Sequence, residues 1–265
     1  MLPATLRIVL CVTAALVAVS TATLGATRRA AFPAPPSRLA APVAAARISI
    51  LIGRSVEGRP IRAVAVGDPT SAIRILVVGC IHGDEAAGIS VTRRLGATPP
   101  PPGVAIWVVG DLNPDGRASH RRQNTHGVDL NRNFSYHWRA LGYPGQRQYS
   151  GPRPFSEPEA RAARDLILRV RPAVTLWFHQ PLGLVDLSGG NPTIERRFST
   201  ISKLPLRRLT RYPGSASSWQ NHRLSLTTAF VVEFPTGPLS ATNATRYAKA
   251  VRQLAITLRT GQARS

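Results

Sequence analysis

The chain predicts a single-domain α/β fold, a mixed twisted β-sheet flanked by helices on both faces, and three observations carry that expectation. Short apolar, β-branched runs at 73–78, 104–109, 174–178 and 228–232 alternate with segments of about ten residues that have helical spacing. At 265 residues and 43% hydrophobic content, the chain is long enough for one good core and too short for two typical domains with linkers. Three of those apolar runs also lead into ionisable residues, His82 with Glu85, His179 and Glu233. Open α/β sheets place their functional loops at such carboxyl ends.

In chain order, Arg7, an apolar run over 8–19 and small residues through Ala26 match the three regions of an export signal, expected to occupy 1–26. The uncharged run from 8 to 27 is also long enough to act as a membrane anchor. Removal of the signal takes Cys11 and leaves Cys80 as the only thiol, so no intramolecular disulfide can form. A Pro/Ala-rich spacer is expected over 27–47, followed by a catalytic domain over 48–260. Strands at 48–52 and 61–66 are joined by a turn containing Gly58. The strand at 73–78 feeds a glycine-bearing turn and a helix from about 86 to 95, and Pro99 to Pro102 stop that helix. After the strand at 104–109, Ser156 as N-cap, Pro158 in the first turn and acids beside them open a helix that runs through Val170. The stretch 182–211 has no pattern that assigns elements.

The charge is lopsided, with 34 Lys+Arg against 13 Asp+Glu and a formal net charge of +21. Such a surface suits an anionic partner, whether nucleic acid, a wall polymer or acidic phospholipid. The arginines are scattered, without a dense basic tail or interleaved aromatics, so no specific nucleic-acid partner is expected. Export and positive charge together point to electrostatic association with an anionic cell envelope. A monomer is expected.

His82 and Glu85 stand three residues apart on a strand-to-helix turn, where both can face one cation. Taken alone, that pair is equally a helix start whose Glu favours the positive end of the dipole. With His179 at the end of another strand it makes a three-ligand set that leaves a fourth position open, the pattern of a catalytic zinc, one per chain. Glu233, not needed as a ligand, is placed to act as general base and then to protonate the leaving amine. His120, His126, His137 and His222 lie in polar or Arg-rich surroundings and read as surface residues. Cys80 reads as a small apolar residue at the strand end. Asp84 or Asp129 is the expected partner for the far nitrogen of a ligand histidine.

The most specific stretch runs Arg121-Arg122-Gln123-Asn124-Thr125-His126-Gly127-Val128-Asp129-Leu130-Asn131-Arg132-Asn133-Phe134. With Asn-Pro-Asp-Gly at 113–116 and His-Gly-Asp-Glu at 82–85, it resembles the zinc carboxypeptidase family of the carboxypeptidase A type, over roughly residues 48–258. Within that family the chain looks most like the small bacterial murein-peptide amidases. Ser-Gly-Pro-Arg-Pro-Phe-Ser-Glu-Pro-Glu at 150–159, His-Gln-Pro at 179–181 and Tyr-Pro-Gly-Ser at 212–215 carry that narrower likeness. The resemblance implies the same zinc ligands and the same general base. It implies that Asn131 and Arg132 hold the substrate's terminal carboxylate and that Arg122 steadies the oxyanion, with Arg121 as the alternative register. Tyr212 matches the family's mobile tyrosine over the substrate, or is a turn tyrosine ahead of Pro213.

The implied activity is hydrolysis of an amide bond next to a free C-terminal carboxylate in a peptide substrate. The first choice is a cell-wall peptide cut between γ-D-glutamate and diaminopimelate. A general metallocarboxypeptidase acting on protein C-termini is the runner-up. An acidic pocket residue, Asp186 or Glu195, would favour the diaminopimelate amine, and an apolar floor would favour hydrophobic C-termini. A deacylase of the aspartoacylase sort shares the His/Glu and Asp-Leu-Asn-Arg elements, but the Asn-Pro-Asp-Gly turn argues against it. The alternative from another class is a non-catalytic wall- or polyanion-binding protein.

Overall fold

Four apolar runs form the centre of the sheet: β3 (Ile73–Val78), β4 (Val104–Val109), β5 (Val174–His179) and β8 (Thr228–Pro235), parallel to one another in the order β4-β3-β5-β8. A computed structural model describes residues 47–262. The export signal expected at 1–26 and all of the expected spacer except Arg47 lie outside the described residues. On one side, the antiparallel hairpin of β1 (Arg47–Arg54) and β2 (Pro60–Val66) pairs through β2 with β4. On the other, β6 (Leu182–Asp186) runs antiparallel to β8, and the two-residue β7 (Leu206–Arg207) closes an eight-stranded mixed sheet.

Every residue of β4 and β5 is buried, and in β3 all but Arg74, because helices cover both faces. Strand alternation divides the core. Ile75, Val77, Leu176 and Phe178 face α1 (Gly88–Ala97), α4 (Pro192–Ser202) and α6 (Ala241–Gln262). Leu76, Val78 and Trp177 face α3 (Pro158–Val170) and α5 (Ala216–Arg223). The longest helix, α6, buries Ala244, Tyr247, Ala248, Val251, Leu254 and Ala255. That is a stripe at helical spacing on a segment where alternation of strand and turn signals has ended. The elements β6, α4 and β7 fill the segment 182–211 that the sequence leaves unassigned, and α5 follows it.

Two local expectations change in the structure. The N-cap of α3 is Glu157, not Ser156, and no side chain caps it. Ser156 Oγ instead donates to Glu157 Oε1 at 2.7 Å and accepts from Asn133 Nδ2 at 2.8 Å, which ties the helix start to the 121–134 loop. The glycines of the turn after β3 serve close approach rather than a left-handed backbone. A Cβ at Gly83 would lie 2.0 Å from the carbonyl carbon of Gly116, and one at Gly79 would lie 2.6 Å from the Gly110 oxygen.

Candidate active site

The parallel centre of the sheet brings the site together. β3 ends four residues before His82, β5 ends on His179, and the β5–β8 register sets His179 opposite Glu233. The turn after β3 is held by Asn113, whose side-chain amide donates to Ile81 O and to Arg122 O, both at 3.2 Å. Its Oδ1 accepts from Gly116 N at 3.0 Å, opening the short α2 (Pro114–Ala118). The Asn-Pro-Asp-Gly turn therefore fastens the His82 turn to the arginine-bearing loop.

That loop is fixed in turn by its own amides. Asn124 Nδ2 donates to Glu157 Oε2 at 2.7 Å and to Glu159 Oε2 at 3.2 Å, and its Oδ1 accepts from Val128 N. Asn133 Oδ1 accepts from Glu157 N at 3.1 Å. Between these anchors Asp129 caps a single 3-10 turn over Leu130–Arg132, accepting from Asn131 N at 2.9 Å.

His82, Glu85 and His179 are buried with their donor atoms within 4.8 Å of one another. Glu85 Oε2 lies 3.0 Å from His82 Nδ1 and 2.8 Å from His179 Nδ1, and the two Nδ1 atoms are 3.1 Å apart. His82 Nε2 is 3.0 Å from Asp129 Oδ1, so the ring's proton belongs on Nε2 and a lone pair is left on Nδ1. Two imidazole nitrogens facing each other across one carboxylate oxygen call for a cation between them. The donor set, two nitrogens and a carboxylate, is one that zinc takes. These residues fit a catalytic zinc, and Asp129 rather than Asp84 is the aspartate on the far nitrogen.

The charges around the set are coupled. Burial alone would raise the Glu85 carboxyl, but His82 and His179 hold it far below the ordinary glutamate range. Burial alone would lower His82, yet Glu85 and Asp129 outweigh it and raise the imidazole. Asp129, wholly buried, is likewise pulled down by His82 and Arg122 against the effect of burial. Arg122 Nε and Nη2 each lie 3.0 Å from Asp129 Oδ2, while its Nη1 reaches Glu85 Oε1 at 3.0 Å and His82 Nδ1 at 3.1 Å. Arg121 is exposed, and of the two neighbouring arginines Arg122 is the one that reaches the donor set. Glu233 is 8% exposed, and burial raises its carboxyl above the ordinary value, with His179 partly opposing.

All eight sequence-nominated site residues line one cleft of about 320 Å³. Arg132 is buried beneath the ring of Tyr212, its guanidinium carbon 4.2 Å from the ring centroid, and burial lowers its basicity. Asn131 Oδ1 accepts from Ala216 N at 2.9 Å, which turns its amide nitrogen toward the cleft. Of the two acids considered for the pocket, Asp186 lines the cleft and Glu195 does not. Glu195 Oε1 is spent on Ser188 N and Gly190 N. Arg147 and Arg211 also line the cleft, and no local sequence signal marks them. His120, His126, His137 and His222 are exposed.

Among known proteins, the zinc carboxypeptidase profile matches residues 103–187. Murein peptide amidase A of Escherichia coli strain K12 is 31% identical over 180 residues, which cover 63% of this chain and 74% of that protein. The chain belongs to the zinc carboxypeptidase family. A Vibrio campbellii murein peptide amidase A is 28% identical over 202 residues, covering 71% of this chain and 79% of that protein. The crystal structure of murein-tripeptide amidase MpaA from Escherichia coli O157 matches with a TM-score of 0.63 at 29% identity, over 78% of this chain and 91% of that one. Carboxypeptidase A of Helicoverpa armigera has the same fold, with a TM-score of 0.71 at 18% identity over 83% of this chain and 70% of that one. The family makes this chain a metallocarboxypeptidase-type hydrolase and implies zinc.

Proposed function

We propose that this zinc carboxypeptidase-family hydrolase is an exported amidase that cuts cell-wall peptides between γ-D-glutamate and diaminopimelate. The observation that carries the reading is the content of one cleft: a His/His/Glu donor set, a carboxylate outside that set, an Asn/Arg pair and an acid, Asp186, further along. The murein peptide amidases among its relatives supply the substrate class.

His82, Glu85 and His179 would hold one zinc, which would supply Lewis acidity to the scissile carbonyl and to an attacking water. Glu233 takes the proton from that water, and its raised basicity suits the task. The same carboxyl then gives the proton to the amine of the departing residue. Arg122 presents a guanidinium already fixed by Asp129 and Glu85, so its charge meets the developing oxyanion without reorganising. The Asn131 amide and the Arg132 guanidinium take the free carboxylate beside the scissile bond, and Tyr212 closes over Arg132. The positive surface holds the exported monomer at an anionic envelope, with 1–26 as its signal, 27–47 as spacer and 48–260 as the catalytic domain.

The test is a substrate panel. Residues 27–265 loaded with zinc should hydrolyse L-Ala-γ-D-Glu-diaminopimelate and leave a hippuryl amino acid intact. Cleavage of only the hippuryl substrate would move the protein to the general carboxypeptidase reading. Salt-dependent binding to wall polymer with no turnover of either would make it a binding protein.

A further inference from the structure

The substrate-facing end of the cleft contains an ion pair with a specific geometry. Leu184 on β6 pairs with Glu233 on β8, and Asp186 lies two residues further along the same face, roughly 6–7 Å away at strand rise. Its side chain is 4% exposed. Oδ1 accepts from Leu209 N at 2.8 Å, and Oδ2 accepts from Ser188 Oγ and from Arg211 Nη1, both at 2.7 Å. A carboxylate has about four acceptor positions, so one of them stays open. Arg211 is 37% exposed, and among the described residues Asp186 is its one hydrogen-bond partner, leaving the rest of its fork toward the cleft.

We infer that Asp186 and Arg211 together form a receptor for a zwitterion, an ammonium and a carboxylate carried on one carbon at the far end of the accepted side chain. The inference rests on the amidase reading and deepens it. Asp186 is no free anion awaiting a lone cation: a lysine or arginine side chain would meet the Arg211 charge beside it. A lone carboxylate would meet Asp186, and an aliphatic side chain would desolvate the pair and return nothing. An amino-acid head instead adds its ammonium to the open position on Asp186 and its carboxylate to the Arg211 fork, making a neutral array of four charges. The reach agrees. Four C–C bonds of about 1.5 Å extend about 5 Å from the α-carbon held at Asn131 and Arg132 to such a head. Val231 and Leu209 line the cleft beside that path.

The test measures kcat/KM on three γ-D-glutamyl peptides that differ only in the released residue: diaminopimelate, lysine (no distal carboxylate) and 2-aminopimelate (no distal amine). Wild type should favour diaminopimelate over each by at least about tenfold, mostly through KM. Arg211→Met should erase the preference over lysine and retain the preference over 2-aminopimelate. Asp186→Asn, which can still accept from Leu209 N, should do the reverse. Inhibition by free diaminopimelate should weaken in both variants, and inhibition by free lysine should not weaken in Arg211→Met. If Asp186→Asn does not fold, Arg211→Met decides alone, because Arg211 is partly exposed and, among the described residues, hydrogen-bonds to Asp186 alone. Ratios near one in wild type, or ratios unchanged in Arg211→Met with all three rates lowered alike, would overturn the zwitterion receptor and leave the amidase reading standing. Failure to cleave any of the three would remove both.

Discussion

Asp129→Asn is the most informative single change, because one buried carboxylate serves three partners. Oδ1 faces two N–H donors, His82 Nε2 and Asn131 N, while Oδ2 faces the Arg122 guanidinium. An amide has one oxygen, so either orientation points an NH2 at a donor. The partly buried Arg122 also loses one of its two carboxylate partners and keeps Glu85, so the cost should approach but not exceed the roughly 3–5 kcal/mol of breaking a fully buried pair. The proton on His82 Nε2 is no longer held, and zinc affinity should fall roughly 10–100-fold. Folding depresses the Asp129 carboxyl below its ordinary 3.8, so its contribution is complete above that pH and fades as the pH drops through the folded value. The stability gap between wild type and variant should therefore narrow toward strong acid. Urea denaturation of the zinc-free proteins from neutral to acid pH, with a competitive chelator titration, measures both effects. A variant within about 0.5 kcal/mol of wild type at pH 7, with zinc affinity within about threefold, would refute the role given to this carboxylate.

Three further outcomes follow from the same structure. Gly83→Ala should lower stability by about 3 kcal/mol or more in urea melts and weaken zinc binding, because the added methyl lies 2.0 Å from the Gly116 carbonyl carbon. Arg122→Met should reduce kcat by roughly 10²–10³ with little change in KM, and a change in KM alone would place the arginine in ground-state binding. Glu195→Gln keeps its acceptor for Ser188 N and Gly190 N. Burial raises the Glu195 carboxyl above its ordinary 4.5, so the wild-type acid favours the fold most below that pH and loses this as pH rises through the folded value. The stability of the variant relative to wild type should increase between pH 4 and pH 7, and a flat difference would count against the buried-acid assignment.

The central sheet and the donor set are legible in the sequence because both are written locally. Buried parallel strands demand continuous apolar runs, and His82, Glu85, His179 and Glu233 sit at or just past the ends of those runs. The far end of the sheet is different. β6 alternates Leu and Gly with partial exposure, β7 has two residues, and α4 and α5 contain more polar residues than apolar ones. Tertiary contacts form these elements more than their own patterns do. α6 does have a readable stripe, but half of it is Ala and it is interrupted by Arg, Lys and Thr, so strand-and-turn punctuation passes over it. Ser156 shows the limit of cap signals: its hydroxyl is taken by Glu157 and Asn133 before it can cap. Arg147, Arg211 and the pairing of Asp186 come to the cleft from loops more than twenty residues from the metal ligands or across the sheet. No spacing rule brings such residues together.

The most direct test of the account joins metal content with turnover in wild type and Glu233→Gln, by mass-spectrometric zinc analysis and hydrolysis of L-Ala-γ-D-Glu-diaminopimelate. One zinc per chain in both proteins, with kcat of the variant lower by about 10²–10⁴, is the expected result for a base that is not a ligand. Loss of zinc in the variant, or full activity without zinc in wild type, would contradict it.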